Sequence, residues 1–185
     1  RAARAARCQG CLVTRVGRLP YIGVLPTGVE VLGLDDMNNG QETTVTGVCI
    51  EMIERMAKIG GAVYPPPVDR RQDWEVYKRW AHWGLFDFRS NGKPAGIVMA
   101  AAFDPDAWKR TSNEMIADAG VDVRLHSCFS KAIVRDGRII GVLCDPKAGR
   151  QATLGVLAID TSGDPTSPPP APPHSPAGPY PPPHP

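Results

Sequence analysis

The chain has 185 residues, of which 42% are hydrophobic and 22% charged, enough for one domain with a sizeable core and ordinary for a globular protein. A net charge of +2 demands no polyanionic partner, and no apolar run is long enough to cross a bilayer. Five scattered cysteines, Cys8, Cys11, Cys49, Cys128 and Cys144, argue against a disulfide scaffold and for a reducing compartment, so the expected location is cytoplasmic.

Residues 1–20 set Arg1, Arg4, Arg7, Arg15 and Arg18 among alanines with no acid, the composition of a transit-peptide piece or of GC-rich DNA read out of frame. With no starting Met the expectation is of an incomplete chain, and for 1–20 of a disordered, low-complexity segment. Its charge lacks an aromatic platform, so it makes no nucleic-acid interface. Cys8-Gln9-Gly10-Cys11 has the spacing of half a zinc site, yet no second pair follows, and no metal is expected. Gly23 to Gly28 has the glycine spacing of a phosphate loop but continues Val29-Glu30 without the cation that would meet a phosphate. It reads as a turn between extended segments.

Periodicity begins at Thr43. Thr44 or Thr46 is placed to cap a helix over 47–59, in which Cys49, Ile53, Met56 and Ala57, with Ile50 and Met52 beside them, form a broad apolar face ended by Gly60-Gly61. Residues 62–102 are less regular. Pro65-Pro66-Pro67 forces an extended piece, and Trp74, Tyr77, Lys78 and Ala81 at helical spacing, with Trp80, His82 and Trp83, predict a helix over 73–82. Arg70, Arg71, Arg79 and His82 admit two readings, anion and proton handling or the solvated face of a helix anchored by tryptophans.

The clearest signals lie between Phe103 and Asp164. Asp104 as N-cap, Pro105 at the first helical position and Asp106 near the positive end of the dipole start a helix over 105–119. Trp108, Ser112, Met115, Ile116 and Ala119 share one of its faces, and Gly120 stands where a left-handed C-cap falls. The period then drops to two: Val121, Val123 and Leu125 alternate with Asp122, Arg124 and His126, a strand with one buried face, and His126 points outward. Ala132 to Val134 and Ile139 to Leu143 flank Asp136-Gly137, a strong hairpin signal because both turn residues tolerate positive φ. A last apolar run, Leu154 to Ile159, leads into Asp160-Thr161-Ser162-Gly163-Asp164. Hydrophobic strands that end in small and acidic residues often present a ligand site in α/β sheets. Beyond it, Pro165 to Pro185 is mostly proline with Ala, Ser and His, too poor in apolar residues to build a core. It reads as a disordered tail, either a polyproline ligand for an SH3 or WW domain or the product of a frameshift.

Phe103-Asp104-Pro105-Asp106, Ala119-Gly120-Val121, Asp136-Gly137-Arg138 with Gly141-Val142, and Ile159-Asp160-Thr161-Ser162-Gly163-Asp164 follow one another in an order and spacing that resembles FAD-dependent oxidoreductases of the glutathione-reductase-like, two-dinucleotide-binding-domain type, near the fumarate reductase flavoproteins. Gly47-Val48 through Gly61 is similar to a helix of the same family. The resemblance implies an α/β, partial FAD-binding (Rossmann-like) domain over 21–164, with helix 105–119, a following strand, a β-hairpin insert and a final strand, and with 62–102 as a cap on the substrate side. It implies FAD as cofactor, a small-molecule substrate and hydride transfer to the flavin. It places Cys128 and Phe129 beside the adenine, and Thr161, Ser162, Gly163 and Asp164 near the pyrophosphate and ribityl chain, with Ser162 where the family usually has Thr. The Gly-x-Gly-x-x-Gly turn that holds the pyrophosphate in this family is absent, and no catalytic acid or base is assigned. The reading from another class is a non-catalytic α/β module whose proline-rich tail recruits a partner.

Overall fold

The computed structural model describes residues 2–23, 25–34, 37–39, 42–71, 73–81 and 99–161. They form two compact units, one built from residues 3–14 and 21–122 and the other from 15–20 and 123 onward. Ser162, Gly163, Asp164, the proline-rich tail, His82 and Trp83 lie outside the described residues.

In the first unit, α1 (Ala2–Cys8) departs from the disorder expected of residues 1–20. The cause is tertiary. Arg4 forms a fork with the carboxylate of Glu51, one arm at 2.9 Å, and Arg7 Nε donates to the Ala119 carbonyl at 2.8 Å. Composition alone cannot show that arginines so distant in sequence have partners waiting. The strand β1 (Thr14–Val16) follows. Instead of a turn between extended segments, residues 25–28 form a short helix, α2 (Leu25–Gly28), whose Thr27 hydroxyl donates to the Gly23 carbonyl. Then come β2 (Gly33–Leu34), α3 (Val48–Lys58), β3 (Ala62–Val63), a 3-10 turn at Pro67–Asp69, α4 (Trp74–Ala81), β4 (Ala101–Phe103) and α5 (Pro105–Asp118). β4 is the centre of a three-stranded antiparallel sheet, with β2 and β3 on its two sides.

The core lies between this sheet and α3 and α5. Met37, Cys49, Ile53, Met56, Met99, Ala101, Phe103 and Ala107 are buried together, with Leu34, Val45, Met52 and Trp108 packed around them. The predicted faces of α3 and α5 hold: Cys49, Ile53 and Met56 are buried on one helix, and Ser112, Met115 and Ile116 on the other. Half of the eight central residues carry sulfur, so the core is filled largely by soft, unbranched side chains.

Three helices end in one motif. After α1, Gly10 N–H donates to Arg7 and Cys11 N–H to Ala6; after α3, Gly60 donates to Ala57 and Gly61 to Met56; after α5, Gly120 donates to Ala117 and Val121 to Ile116. Each pair is the double closure of a Schellman turn, and Gly10, Gly60 and Gly120 take φ of 80°, 74° and 67°. The start of α5 is also as expected, with Asp104 Oδ1 accepting from Ala107 N–H at 2.8 Å and Pro105 following. The start of α3 differs. Its N-cap is Gly47 at φ 63°, with no capping side chain from Thr44 or Thr46. A backbone with positive φ turns the chain into this helix, so glycine replaces the expected threonine.

The chain passes between units within β1 and within β5 (Asp122–Arg124), which pair with each other. Asp122 N–H donates to Val13, Gly17 N–H to Arg124 and Ser127 N–H to Gly17, so partners advance together and the strands are parallel. In the second unit β6 (Ser127–Arg135), β7 (Arg138–Pro146) and β8 (Gln151–Leu154) form an antiparallel sheet in that order. Asp136 and Gly137, at φ 49° and 72°, make the predicted hairpin turn. The final strand ends sooner than the apolar run suggests: β8 stops at Leu154, and residues 155–161 carry no strand. In a sheet, Val156, Leu157 and Ile159 would need a neighbouring strand on their far side, and no described residue supplies one.

Two substitutions test the core. A Cβ at Gly61 would meet the Ala107 Cβ at 2.2 Å, so Gly61→Ala is expected to lower stability by about 1–3 kcal/mol in chemical denaturation. Thr111 is 1% exposed and its hydroxyl has no hydrogen-bond partner. Thr111→Val removes that unpaired oxygen at nearly constant volume, and an increase of about 1 kcal/mol is expected in the same measurement.

Candidate functional site

The sequence singles out six residues, and the structure describes three of them, all in the second unit: Cys128, Phe129 and Thr161. Cys128 and Phe129 follow Ser127 at the start of β6, opposite Asp145 and Cys144 of β7, and the register slips between Phe129 and Lys131. A bulge there re-aims side chains at the start of the hairpin. Alternation sends the two residues to opposite faces of the sheet. Both are solvent-accessible, Phe129 at 48%, whereas Cys144 is buried and burial pushes its thiol up. Asp145 is held below the usual carboxylate range, chiefly by the Arg150 guanidinium, which binds it through Nε at 2.7 Å and Nη2 at 3.2 Å. Thr161 is exposed at the end of the described residues and makes no hydrogen bond to Cys128 or Phe129.

His126, beside the strand start, is exposed and sits at φ 51°. Its neighbour Ser127 is buried, its hydroxyl donating to the Leu125 carbonyl at 3.0 Å. This polar corner fixes the entry to β6. Sequence reasoning missed Arg15, whose Nη1 is buried without a hydrogen-bond partner and whose affinity for its proton is lowered by burial. Nothing local marks that arginine off from its four neighbours in composition.

The basic residues Arg70, Arg71 and Arg79, in the first unit, are engaged within the chain. Arg79 Nη1 reaches both oxygens of Asp69 at 2.9 Å, Arg71 Nε lies 3.3 Å from Asp73, and Arg70 Nε donates to the Pro65 carbonyl at 3.0 Å. The residue that organises the segment is Asp69, another that the sequence pattern did not reveal. It is 5% exposed, and Trp80 Nε1 donates to it at 3.0 Å. That indole bond first, and Arg79 next, holds its carboxyl below the usual range. The tryptophan anchor was therefore legible and its carboxylate was not. Val76 of α4 is fully buried, while Trp74 and Tyr77 stack face to face at 5.2 Å and Trp74 stays 43% exposed.

A pyrophosphate needs open backbone N–H groups at a helix start. At α5 that place is filled by the Asp104 carboxylate, and at α4 by Asp73, whose Oδ1 accepts from Glu75 and Val76 N–H at 2.8 and 3.3 Å. α3 starts at Gly47 without a capping side chain, but its first turn carries Glu51. No described helix of eight or more residues thus offers a cradle free of negative charge in its first turn. The described helix starts do not form a pyrophosphate site for FAD. Among the described residues there is also no cluster of three or more metal-ligating side chains, and no helix is long and apolar enough to cross a membrane.

Asp69 and Glu51 give a pH prediction. Glu51 is also depressed, mainly by its hydrogen bonds from Arg4. Both carboxyls have lowered folded-state values, so their contribution is present above their unfolded values, ~4 and ~4.3, and lost as pH falls through the folded ones. Chemical denaturation of the wild type should show stability falling with acid from about pH 4 downward. Asp69→Asn is expected to be less stable at neutral pH and to show a shallower acid decline.

The family model for FAD dependent oxidoreductase matches residues 1–166. No curated protein matches the chain. Solved structures similar to it include BexE, studied for oxidation during BE-7585A biosynthesis, at 17% identity and TM-score 0.45, covering 82% of this chain and 26% of that one. A glycerol-3-phosphate dehydrogenase from Bacillus halodurans complexed with FAD matches at 11% identity and TM-score 0.41, over 82% of this chain and 29% of that one. CabE, an aromatic hydroxylase from angucycline biosynthesis, matches at 15% identity and TM-score 0.40, over 82% and 26%. The chain thus spans between a quarter and a third of the length of these proteins. With the family model covering all of the described residues, the chain belongs to the FAD dependent oxidoreductase family, whose cofactor is FAD.

Proposed function

We propose that this chain is a portion of an FAD-dependent oxidoreductase that contributes the edge of the flavin dinucleotide site and depends on a separate Gly-x-Gly-x-x-Gly unit for tight binding. The observation that carries the reading is the family match over 1–166 together with helix starts closed to a pyrophosphate. In the assembled site, Cys128 and Phe129 lie beside the adenine, and the exposed Phe129 ring gives the base an aromatic face. Thr161 and Ser162 offer hydroxyls to the pyrophosphate, Gly163 lets the backbone come close, and Asp164 accepts from flavin hydroxyls. FAD supplies hydride transfer with a small organic substrate when bound, while these residues bind and orient it. Cys8, Cys11 and Cys128, exposed and free, favour a reducing, cytoplasmic setting.

The test is an absorbance and fluorescence titration of FAD into this chain, alone and with a strand–turn–helix segment carrying Gly-x-Gly-x-x-Gly from a relative. Binding is expected only with the added segment, and Phe129→Ala is expected to weaken it by about tenfold, the value of one base–aromatic stack. A folded chain that binds FAD in neither case rules the reading out.

A further inference from the structure

Arg15 is a cation that the described chain holds in place but does not pair. It lies in the second unit, at the middle of β1, and is half-buried. Its side chain runs along the strand toward the carboxyl end, where Nη1 rests over Gly17 beside Leu125, each 3.5 Å from where a Gly17 Cβ would stand. Nη1 is sealed there without a partner. Nε and Nη2, the open edge of the guanidinium, make no hydrogen bond or ion pair either. Burial is the sole influence on its proton affinity, so no carboxylate stands near enough to offset the lost hydration. Buried charges are ordinarily paired, because a desolvated cation without an anion is costly.

The position of the guanidinium indicates what binds it. β1 and β5 run parallel, and Arg15 reaches toward their carboxyl ends, the end of a parallel sheet at which ligands collect. Backbone groups there are already engaged, Gly17 N–H with Arg124 and Ser127 N–H with Gly17, so side chains are left to meet a ligand. Arg18, exposed and also without an ion pair among the described residues, adds a second positive charge no more than about 11 Å along the chain. Residues 15–20 contain no acid. A phosphate brings about two negative charges to such a place, a carboxylate only one. We propose that the corner formed by Arg15, Gly17 and Arg18 binds the phosphate group of a small ligand, with the Nε–Nη2 edge of Arg15 as the fork and Gly17 leaving room for the guanidinium to lie along the strand. The same edge of Arg150 grips the Asp145 carboxylate in this unit. The site stands whether or not FAD is the cofactor.

Thermal unfolding of the full chain in sodium phosphate, against sodium chloride of equal ionic strength, tests the site. Phosphate should raise the melting temperature saturably, and at ten times its dissociation constant should raise the folding equilibrium constant about elevenfold. Arg15→Met replaces the unpaired charge with an apolar side chain, so it should be more stable than the wild type in chloride and should lose the response to phosphate. Arg15→Lys keeps the charge without the fork and should shift the phosphate midpoint to higher concentration. Titration with 5′-AMP identifies the source of the phosphate: a midpoint below that of inorganic phosphate assigns it to a nucleotide and an equal midpoint to a ligand without a base, and the site is supported in both cases. A wild type that does not respond to phosphate overturns the proposal, as does a response undiminished in Arg15→Met. Acetate matching phosphate at equal concentration also overturns it and assigns Arg15 to a carboxylate from another part of the protein.

Discussion

The first unit depends on how closely the end of α3 approaches the start of α5. Gly61, the last residue of the turn that closes α3, lies against Ala107, and its carbonyl accepts the Asp104 N–H at 2.9 Å. One contact therefore joins three tasks. It ends a helix, starts β3 beside β4, and presents the residue that caps the next helix. Ile53 and Met56, both fully buried on α3, are aligned with the sheet through this contact. Burial of side chains of that size contributes roughly 1.5–3 kcal/mol each. A core centred on three short strands has little to spare if the approach widens.

Charged side chains reinforce the same helices from outside. Glu51 on α3 receives Arg4 of α1 and Arg55 one turn on, and Arg55 also reaches Asp118 of α5 at 2.7 Å. Exposed ion pairs are individually worth little, but this chain of four joins three helices that are far apart in sequence. With Arg7 on the Ala119 carbonyl, it gives the arginine-rich start of the chain a structural role that its composition conceals.

What could be read from the sequence were the features written in a few neighbouring residues. Asp104-Pro105 fixed one helix start, the glycines at 60 and 120 two helix ends, and Asp136-Gly137 the hairpin, because each acts through local backbone geometry. What could not be read depends on distant partners. Asp69 is organised by Arg79 and Trp80, ten and eleven residues away, and α1 by Glu51 and Ala119. The apolar run after Leu154 shows the opposite error. Its composition is that of a buried strand, yet strand formation needs a neighbour, and hydrophobicity does not say where that neighbour comes from. Of the candidate residues, the placement of Cys128 and Phe129 was legible because the hairpin sets their strand's register, whereas that of Thr161 was not, because it follows the strand that ends early.

The concentration of sulfur in the first unit's core has a consequence for how the fold tolerates change. Met37, Met56 and Met99 are each at most 2% exposed and flank the short strands with side chains that have three rotatable bonds and no branch. Such side chains can rearrange around a neighbour that grows or shrinks, where a valine or isoleucine would leave a void or a clash. The centre of this unit is accordingly malleable at constant composition, and variation there can be absorbed by rotamer changes before the backbone moves.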